Sequence, residues 1–235
     1  MEKIKIMTFN TENCNSFIEQ KIDFDVMAKA IKDCGADIVG LNEMRNKGSF
    51  EGYDNQTEIL SKLTGIENYY FAQAVDLGEN LPFGNGLLSK YQIKSVENIS
   101  IPDPNPKMYD GYYQTRCILK AKLENGLTVM VTHFGLNPDE QQNAVDTIMA
   151  NLEDEKCILV GDFNVLPDNE VLKPIKEKMV DTAVYFKEPL LSWPSDNPER
   201  KIDYVFVTQD IEIIDADIPA IVASDHRPHT VTISF

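Results

Sequence analysis

Hydrophobic and polar residues alternate along parts of the chain in a pattern that predicts strands, and several apolar runs end in a polar residue. Residues Lys3–Phe9 alternate in this way and lead into Asn10, which predicts a first strand with a polar residue at its tip. Residues Asp37–Glu43 repeat the pattern, because their apolar run ends in a carboxylate. The sequence therefore predicts strands that carry polar side chains at their ends.

Apolar residues at helical spacing predict helices between the strands. Residues Asp23–Gly35 combine an apolar stripe with an Asp suited to the N-terminal turn and a Gly suited to the C-terminal stop. Acidic residues follow Pro138 in the first turn of another such segment, and Pro174 interrupts a third. The further predicted helices span Thr57–Leu63, Pro138–Ala150 and Glu170–Met179.

The remaining strands are predicted from aromatic and β-branched content and from turn signals. The Asn-Gly pair at Asn125 and Gly126 is a strong hairpin signal between two apolar runs. Residues 101–113 contain three prolines and a glycine, which predicts an irregular surface loop. These strands are predicted over Tyr69–Ala74, Asn85–Ser89, Arg116–Leu123, Leu127–Phe134, Lys201–Val207 and His229–Phe235.

The run Ile158–Asn164 combines the most apolar of these strands with two polar residues at its end. Asp162 and Asn164 are two residues apart, so an extended chain places both on one face and Phe163 on the other. A carboxylate beside an amide can hold a water, a metal ion or a phosphate oxygen. The alternative interpretation is a strand followed by an Asx turn, since Asp and Asn both favour turns.

Length and composition limit the classes of protein. The 235 residues are 43% hydrophobic, which predicts one large domain over residues 1–235. No signal-peptide pattern opens the chain and no apolar run is long enough to cross a bilayer, so we expect a cytoplasmic protein. The four cysteines are scattered without a C-x-x-C pair, which argues against a structural zinc site or a redox pair.

The formal net charge of −16 narrows the choice of partners. So acidic a chain is unsuited to a broad cationic face that tracks a polyanion, which argues against tight non-specific DNA binding. The charge does not exclude a nuclease, because a bound divalent cation can invert the local field of an acidic cleft.

Polar residues at or near seven strand ends are the candidate functional residues. Carboxylates and amides are ligands for a hard cation, and histidines can move protons in phosphoryl transfer. Each residue alone has an ordinary structural explanation, but Asp203 within an apolar strand is costly unless it is paired. The set comprises Asn10, Glu43, Asn85, His133, Asp162 with Asn164, Asp203, and Asp225 with His226.

The motifs around these residues resemble, in order, those of the endonuclease/exonuclease/phosphatase superfamily, over essentially the whole chain. Gly161-Asp162-Phe163-Asn164 and Ser224-Asp225-His226-Arg227-Pro228 are the most specific of them. The other motifs are Thr8-Phe9-Asn10, Leu41-Asn42-Glu43, Gly84-Asn85-Gly86-Leu87-Leu88-Ser89, Thr132-His133-Phe134 and Ile202-Asp203-Tyr204-Val205-Phe206.

The resemblance implies a fold and a set of roles. The fold would be an α/β, four-layer sandwich of two packed mixed sheets flanked by helices, in the manner of pancreatic-type deoxyribonucleases. Glu43 would be the principal ligand of Mg²⁺, or of Mn²⁺, with Asn10 and Asp225 in the metal environment. Asp162 and Asn164 would orient the attacking water and the phosphate. His226 would be a base or a phosphate-facing imidazole held by Asp203.

The resemblance assigns the other three residues more narrowly. His133 is similar to the histidine that acts as a general acid in the deoxyribonuclease and sphingomyelinase branch, although the sequence does not identify its supporting carboxylate. Arg116 and Asn85 are expected to bind the substrate.

Three functions follow as alternatives. The first is a metal-dependent, nuclease-like phosphodiesterase that acts by in-line attack of water. The second is a phosphatase or phosphodiesterase for a phospholipid or sugar-phosphate headgroup, with Tyr109, Tyr112, Tyr113 and Trp193 shaping its pocket. The third is a non-catalytic module that binds a phosphorylated ligand. The expected partner is a phosphate ester, whether nucleic acid, nucleotide or small molecule, and we expect a monomer.

Overall fold

The strands and helices build two large sheets with helices beside them, and β2 and β3 pair in a separate two-stranded sheet. A computed structural model describes residues 2–51 and 53–235. The strands are β1 (Ile4–Asn10), β2 (Asn15–Ser16), β3 (Lys21–Ile22), β4 (Ile38–Arg45), β5 (Asn68–Asp76), β6 (Pro82–Ser89), β7 (Ile93–Ser100), β8 (Cys117–Leu123), β9 (Thr128–His133), β10 (Cys157–Asp162), β11 (Met179–Asp181), β12 (Asp203–Thr208), β13 (Glu212–Asp217) and β14 (His229–Ser234). The α-helices are α1 (Phe24–Cys34), α2 (Gln56–Thr64), α3 (Pro138–Asn151) and α4 (Lys173–Lys178), and 3-10 turns lie at Glu12–Cys14, Glu170–Leu172 and Thr182–Tyr185.

The two large sheets have matching topologies. The first has the order β13-β14-β1-β4-β6-β5, and the second has the order β11-β12-β10-β9-β8-β7. Each contains one parallel pair, β1 with β4 and β9 with β10, within otherwise antiparallel neighbours. The parallel pairs matter for function, because parallel strands end at the same edge of a sheet.

Both sheets are covered on both faces, because their inner faces pack on each other and helices cover their outer faces. Ile6 and Leu87 of the first sheet pack with Val131, Val160 and Val205 of the second in one fully buried cluster. Alternate residues of the same strands point outwards, where α1 and α2 cover the first sheet and α3 and α4 cover the second. Burying each such aliphatic side chain contributes about 1.5–3 kcal/mol. The predicted four-layer α/β sandwich is confirmed.

The predicted elements mostly form, with physical reasons for the exceptions. Helix α1 has the expected ends, since the Asp23 side chain accepts a hydrogen bond from the Val26 N–H and Gly35 is left-handed. The strand expected to begin at Asn85 begins at Pro82, so Asn85 lies in its buried interior. The helix expected over Glu170–Met179 is a 3-10 turn followed by a short α4, and Met179 starts a strand.

Besides the short β11, two longer edge strands, β7 and β13, were not predicted from the sequence. In β7 the half-buried positions recur every three residues rather than every two, because the strand lies at the edge of its sheet. Strand β13 is also at an edge and is interrupted by a bulge between Ile213 and Asp215. Neither strand therefore has the period of two that identifies a half-buried strand.

Gly161 allows β10 to approach β9 closely just before Asp162. Its φ is +152°, and a Cβ atom there would lie 1.9 Å from the Thr132 carbonyl oxygen. We expect Gly161→Ala to lower the free energy of unfolding by about 3 kcal/mol or more in urea titrations.

The matched control for this substitution is Gly65→Ala. Gly65 also has a positive φ, of +76°, but no described atom lies within 4 Å of its Cβ position. Its cost should be about 1 kcal/mol, from backbone conformation alone. Equal losses in the two variants would contradict the proposed clash with Thr132.

The longest helix of the described residues is α3, with 14 residues. Within those residues, no helix combines the length and apolarity that crossing a membrane requires.

Candidate active site

The C-terminal ends of both parallel strand pairs open into one cavity of about 550 Å³ at the edge of the sandwich. The structure therefore brings the predicted site residues together, as the strand directions require. Seven of them line the cavity, and these are Glu43, Arg116, His133, Asp162, Asn164, Asp225 and His226. The other three, Asn10, Asn85 and Asp203, are buried.

Asn10 connects the two sheets at the base of the cavity. Its Nδ2 donates to Glu43 Oε1 (3.1 Å) and to Asp162 Oδ2 (3.1 Å). Its Oδ1 accepts from the Glu12 N–H at 3.1 Å, so the network fixes the orientation of the amide. In this orientation Asn10 positions two carboxylates and does not turn its oxygen towards a cation beside Glu43.

Asp162 and Asn164 satisfy both interpretations of their motif. Asp162 Oδ1 accepts a hydrogen bond from the Asn164 N–H (2.9 Å), which is an Asx turn, and Asn164 has a left-handed φ of +52°. Both side chains nevertheless line the cavity, while Phe163 is fully buried against Phe134 and Tyr204. The turn therefore directs both polar side chains into the cavity.

Asp203 and His226 form a buried pair. His226 Nδ1 donates to Asp203 Oδ2 at 2.8 Å, and its Nε2 lies 3.7 Å from Asp162 Oδ2. Burial opposes charge on the ring, but the carboxylates of Asp203 and Asp162 outweigh it and raise the pKa of His226 to about 10. The ring is therefore an imidazolium at neutral pH, with Nε2–H available to the cavity.

The side chain that contacts the His133 ring is a guanidinium, although a supporting carboxylate was expected there. Arg116 Nη1 lies 3.0 Å from His133 Nδ1, and because a guanidinium can only donate, Nδ1 is the acceptor. The ring proton is then on Nε2, which lies 3.5 Å from Asp162 Oδ2 and 3.2 Å from Asn164 Nδ2; that amide nitrogen donates to the Phe134 carbonyl (3.1 Å) rather than to the ring. Burial and the Arg116 charge hold the pKa of His133 well below its usual range. His133 is thus a neutral hydrogen-bond donor.

Asp162 lies between these two imidazoles. Burial raises the pKa of Asp162 to about 7, against the opposing charge of His226. Asp162, Asp203 and His226 each offer an atom that could hold a metal ion, all within 4.8 Å of one another. Because the Asp203–His226 hydrogen bond already occupies one side of that group, we assign it to proton and charge placement.

Glu43 projects from a β-bulge in β4. The register with β6 shifts between Leu41 and Met44, and Glu43 has a φ of +57°, which is uncommon for a residue other than glycine. The bulge turns the carboxylate into the cavity while the strand continues to Arg45. Such a strained conformation is typical of functional positions.

The carboxylates on this side of the cavity suit a hard divalent cation. Glu43 and Asp225 both line it, and the Asp225 oxygens also accept from Ser224 Oγ (3.0 Å) and Trp193 Nε1 (3.3 Å). Burial raises the pKa of Glu12, and the nearby charges of Asp225 and Glu43 raise it further. A cluster of oxygen donors that repel one another in this way fits Mg²⁺ or Mn²⁺.

Asn85 lies behind the site. Its Oδ1 accepts from Asn42 Nδ2 (2.9 Å), and its own Nδ2 donates to the Cys117 carbonyl (3.0 Å). Asn42 Oδ1 in turn accepts from the Asp162 N–H at 2.9 Å. Asn85 therefore supports the strand that carries Asp162 through Asn42, rather than facing the cavity where a substrate would bind.

Several lining residues were missed by the sequence interpretation. Arg45, two residues after Glu43 on the same strand, gave a weak signal, and Arg200 and Gln114 gave none. Of the aromatic residues expected to shape the pocket, Tyr112 and Trp193 line it. The Tyr113 hydroxyl instead donates to Asp139.

The chain is similar in sequence to one family of known proteins. The model of the Endonuclease/Exonuclease/phosphatase family matches residues 7–226. No curated protein matches the chain by sequence.

Solved structures share the fold at low sequence identity. An endonuclease/exonuclease/phosphatase from Beutenbergia cavernae superposes with a TM-score of 0.79 at 20% identity, covering 100% of this chain and 72% of the other. One from Bacteroides vulgatus gives 0.77 at 19%, covering 100% of both chains. A mannosyl-6-phosphatase from Bacteroides thetaiotaomicron gives 0.78 at 16%, covering 99% of this chain and 100% of the other. Likeness at these identities shows the fold.

Proposed function

Because the chain belongs to the endonuclease/exonuclease/phosphatase family, a family of phosphoesterases, we propose that it hydrolyses a phosphate ester in the cavity at the sheet edge. One observation carries the proposal. A buried carboxylate, Asp162, lies within 3.7 Å of two imidazoles, in a cavity that Glu43 and Asp225 also line.

Asp162 is the proposed base for the attacking water. Its raised pKa places it near neutral pH, where a general base is most effective. Asn10 and the Asn164 N–H hold its two oxygens in place. The carboxylate therefore orients the water and accepts its proton.

His226 is the proposed donor to the phosphoryl group. The sequence left it as a base or as a phosphate-facing imidazole, and its pairing with Asp203 favours the second role, because a charged ring cannot accept a proton. Its Nε2–H would contact a phosphoryl oxygen. Glu43 and Asp225 would hold Mg²⁺ or Mn²⁺, which supplies positive charge to the phosphoryl oxygens when bound.

His133 is proposed to donate its Nε2–H to the leaving oxygen as a neutral ring. This differs from the expected general acid, because Arg116 disfavours an imidazolium at that position. The role proposed for Arg116 is to select the His133 tautomer.

We expect Arg116→Met to lower kcat by roughly 10²-fold, because no donor then holds the His133 proton on Nε2. The pKa of His133 should rise, because the positive charge of Arg116 is lost. The chain has three histidines, so ¹⁵N NMR can follow the tautomer and titration of each ring. Arg200→Met is the control for the His133 titration, because Arg200 lines the same cavity but is exposed, so its loss should leave the tautomer and the pKa of His133 unchanged. A His133 that titrates near pH 6.5 in the unaltered protein would contradict this role.

A compact phosphate ester is the substrate class that the cavity favours. Three arginines, Arg45, Arg116 and Arg200, line the cavity, and the aromatic rings of Tyr112 and Trp193 lie on its walls. A small anion with a ring or short apolar group would be matched by such walls. The net charge of −16 disfavours a polynucleotide, and the mannosyl-6-phosphatase with this fold acts on a sugar phosphate.

A phosphodiester is the second candidate, favoured by His133. Hydrolysis of a diester breaks one P–O bond and releases an alkoxide, which a hydrogen-bond donor stabilises, and the Nε2–H of His133 is placed to provide one beside Asp162. Nucleic acid is the extended form of this candidate.

Hydrolysis of p-nitrophenyl phosphate, mannose 6-phosphate, bis-p-nitrophenyl phosphate and duplex DNA with Mg²⁺ or Mn²⁺ separates the candidates. Faster monoester turnover supports the compact substrate, whereas faster diester or DNA turnover supports the second candidate. The Asp162→Ala variant, purified in parallel, measures contaminating activity. Silence towards all four substrates and a broad phosphoester panel would favour a non-catalytic ligand-binding module.

A further inference from the structure

A second cavity, of about 390 Å³, lies outside the catalytic one. Within the described chain the two cavities have no lining residue in common. They are neighbours through the start of β12, since Lys201 lines the second cavity and Ile202 lines the catalytic one. The residues lining the second cavity are Pro167, Ala183, Phe186, Lys187, Glu188, Pro189, Leu190, Leu191 and Lys201.

Lys201 is an unusual residue for such a cavity. Its side chain is only 5% exposed, and its Nζ has no hydrogen-bond partner among the described residues. The Asp181 carboxylate forms an ion pair with the amine at 3.6 Å, which is beyond hydrogen-bond distance, and its Oδ1 already accepts from the Ala183 N–H. The amine lies 3.3 Å from the centre of the Tyr204 ring. A buried ammonium whose three N–H groups lack acceptors is costly.

The amine is charged at neutral pH. Burial lowers the pKa of Lys201 to about 8, while Asp181 and Asp203 oppose that effect. The Lys201 amine is therefore a cation that lacks hydrogen-bond acceptors and has almost no accessible area, so an anionic ligand oxygen would satisfy it once the Lys201 side chain shifted towards the cavity that it lines.

The rest of the cavity is apolar, which determines the body of the ligand. Most of its lining residues are Pro, Ala, Leu or Phe, and Phe186 packs on the buried His229 ring at 5.1 Å. Lys187 adds a second positive charge and Glu188 a negative one.

We propose that this cavity binds a small amphipathic carboxylate, such as a medium-chain fatty acid, with its carboxylate on Lys201 Nζ and its alkyl chain along the Phe186–Leu191 wall. A monoanion is preferred to a phosphate dianion because Asp181 is already close to the amine. The cavity volume suits a ligand at the small end of the usual range.

Calorimetric titration with octanoate tests the proposal, with octanol as the neutral ligand of the same length. The full chain should bind octanoate at least about tenfold more tightly than octanol, because the hydrogen bonds to the ammonium are charge-assisted. Lys201→Met should weaken octanoate binding by about tenfold or more, whereas Lys187→Met, at a more exposed lysine of the same cavity, should change it by less than about threefold.

Two further variants locate the binding. Ala183→Leu keeps Lys201 but fills the cavity, so it should also abolish binding, and urea titration confirms that both cavity variants are folded. Asp162→Ala should bind octanoate as tightly as the unaltered protein, because the catalytic cavity is separate. Equal affinity for octanol, unchanged binding in Lys201→Met, loss of binding in Asp162→Ala, or no binding at millimolar octanoate would each overturn the proposal.

Discussion

Replacing Asp162 by alanine is expected to lower kcat by about 10³-fold or more, because the variant loses both the base and the group that orients the water. The variant should remain folded. Burial raises the pKa of Asp162, which costs stability at pH 8, whereas its ionised carboxylate favours the His226 imidazolium, which adds stability at the same pH. Because the two contributions oppose each other, the free energy of unfolding of the metal-free variant should stay within about 1 kcal/mol of that of the unaltered protein.

Steady-state kinetics and urea titration at pH 8 check this expectation together. Asp168→Ala is the matched control, since Asp168 is an exposed carboxylate six residues further along the chain. It should alter neither quantity by a measurable amount. If Asp162→Ala retained its turnover, or lost activity only in proportion to lost stability, Asp162 would have a structural role and the proposed base would be elsewhere.

Glu43→Gln is expected to raise the Mg²⁺ concentration for half-maximal activity by about 10²-fold, since the neutral amide is a poor ligand for a hard cation. The glutamine oxygen can still accept the hydrogen bond from Asn10 Nδ2, so the base of the cavity should be preserved. Activity measured over a range of Mg²⁺ and Mn²⁺ concentrations gives the shift.

Glu79→Gln controls for the backbone conformation in this comparison. Glu79 also has a positive φ, of +49°, but it is exposed on a loop. Its substitution should leave the metal dependence unchanged. An unchanged metal dependence in Glu43→Gln would remove Glu43 from the metal site.

The polar strand ends were predictable because strand direction decides where they meet. Asp162, Asp203 and His226 each follow or interrupt an apolar run, and the structure places them within hydrogen-bond or near-contact distances. Their motifs could therefore be identified without knowledge of the sheets. The orientation of Asn10 could not be, because it depends on Glu12, Glu43 and Asp162 together.

The partner of His133 was within reach of the sequence. The hairpin predicted around Asn125 and Gly126 has a register in which Ile118 pairs with Thr132. Because the strands are antiparallel, counting two residues back along β8 and two forward along β9 places Arg116 opposite Phe134, and thus beside His133. The sequence interpretation considered only carboxylates as partners of His133, whereas the partner in the structure is the Arg116 guanidinium.

Other features depend on tertiary structure and leave little trace in the sequence. The bulge that turns Glu43 into the cavity needs the shifted register with β6. Asn85 was expected at a strand tip because Pro82 and Gly84, just before it, are typical of loops. In the structure both residues belong to β6, which is fully buried. Lys201 was expected to be the polar start of a strand. In the structure the chain segment around Phe186 lies beside it.

The most direct test is a crystal structure grown with Mn²⁺ and inorganic phosphate. We expect one Mn²⁺ at the Glu43 carboxylate with Asp225 on the same side, and a phosphate that bridges the ion and His226 Nε2 within reach of Asp162. An ion and a phosphate bound at separate places, or a metal held away from Glu43, would contradict the proposal that these side chains form one phosphoesterase site.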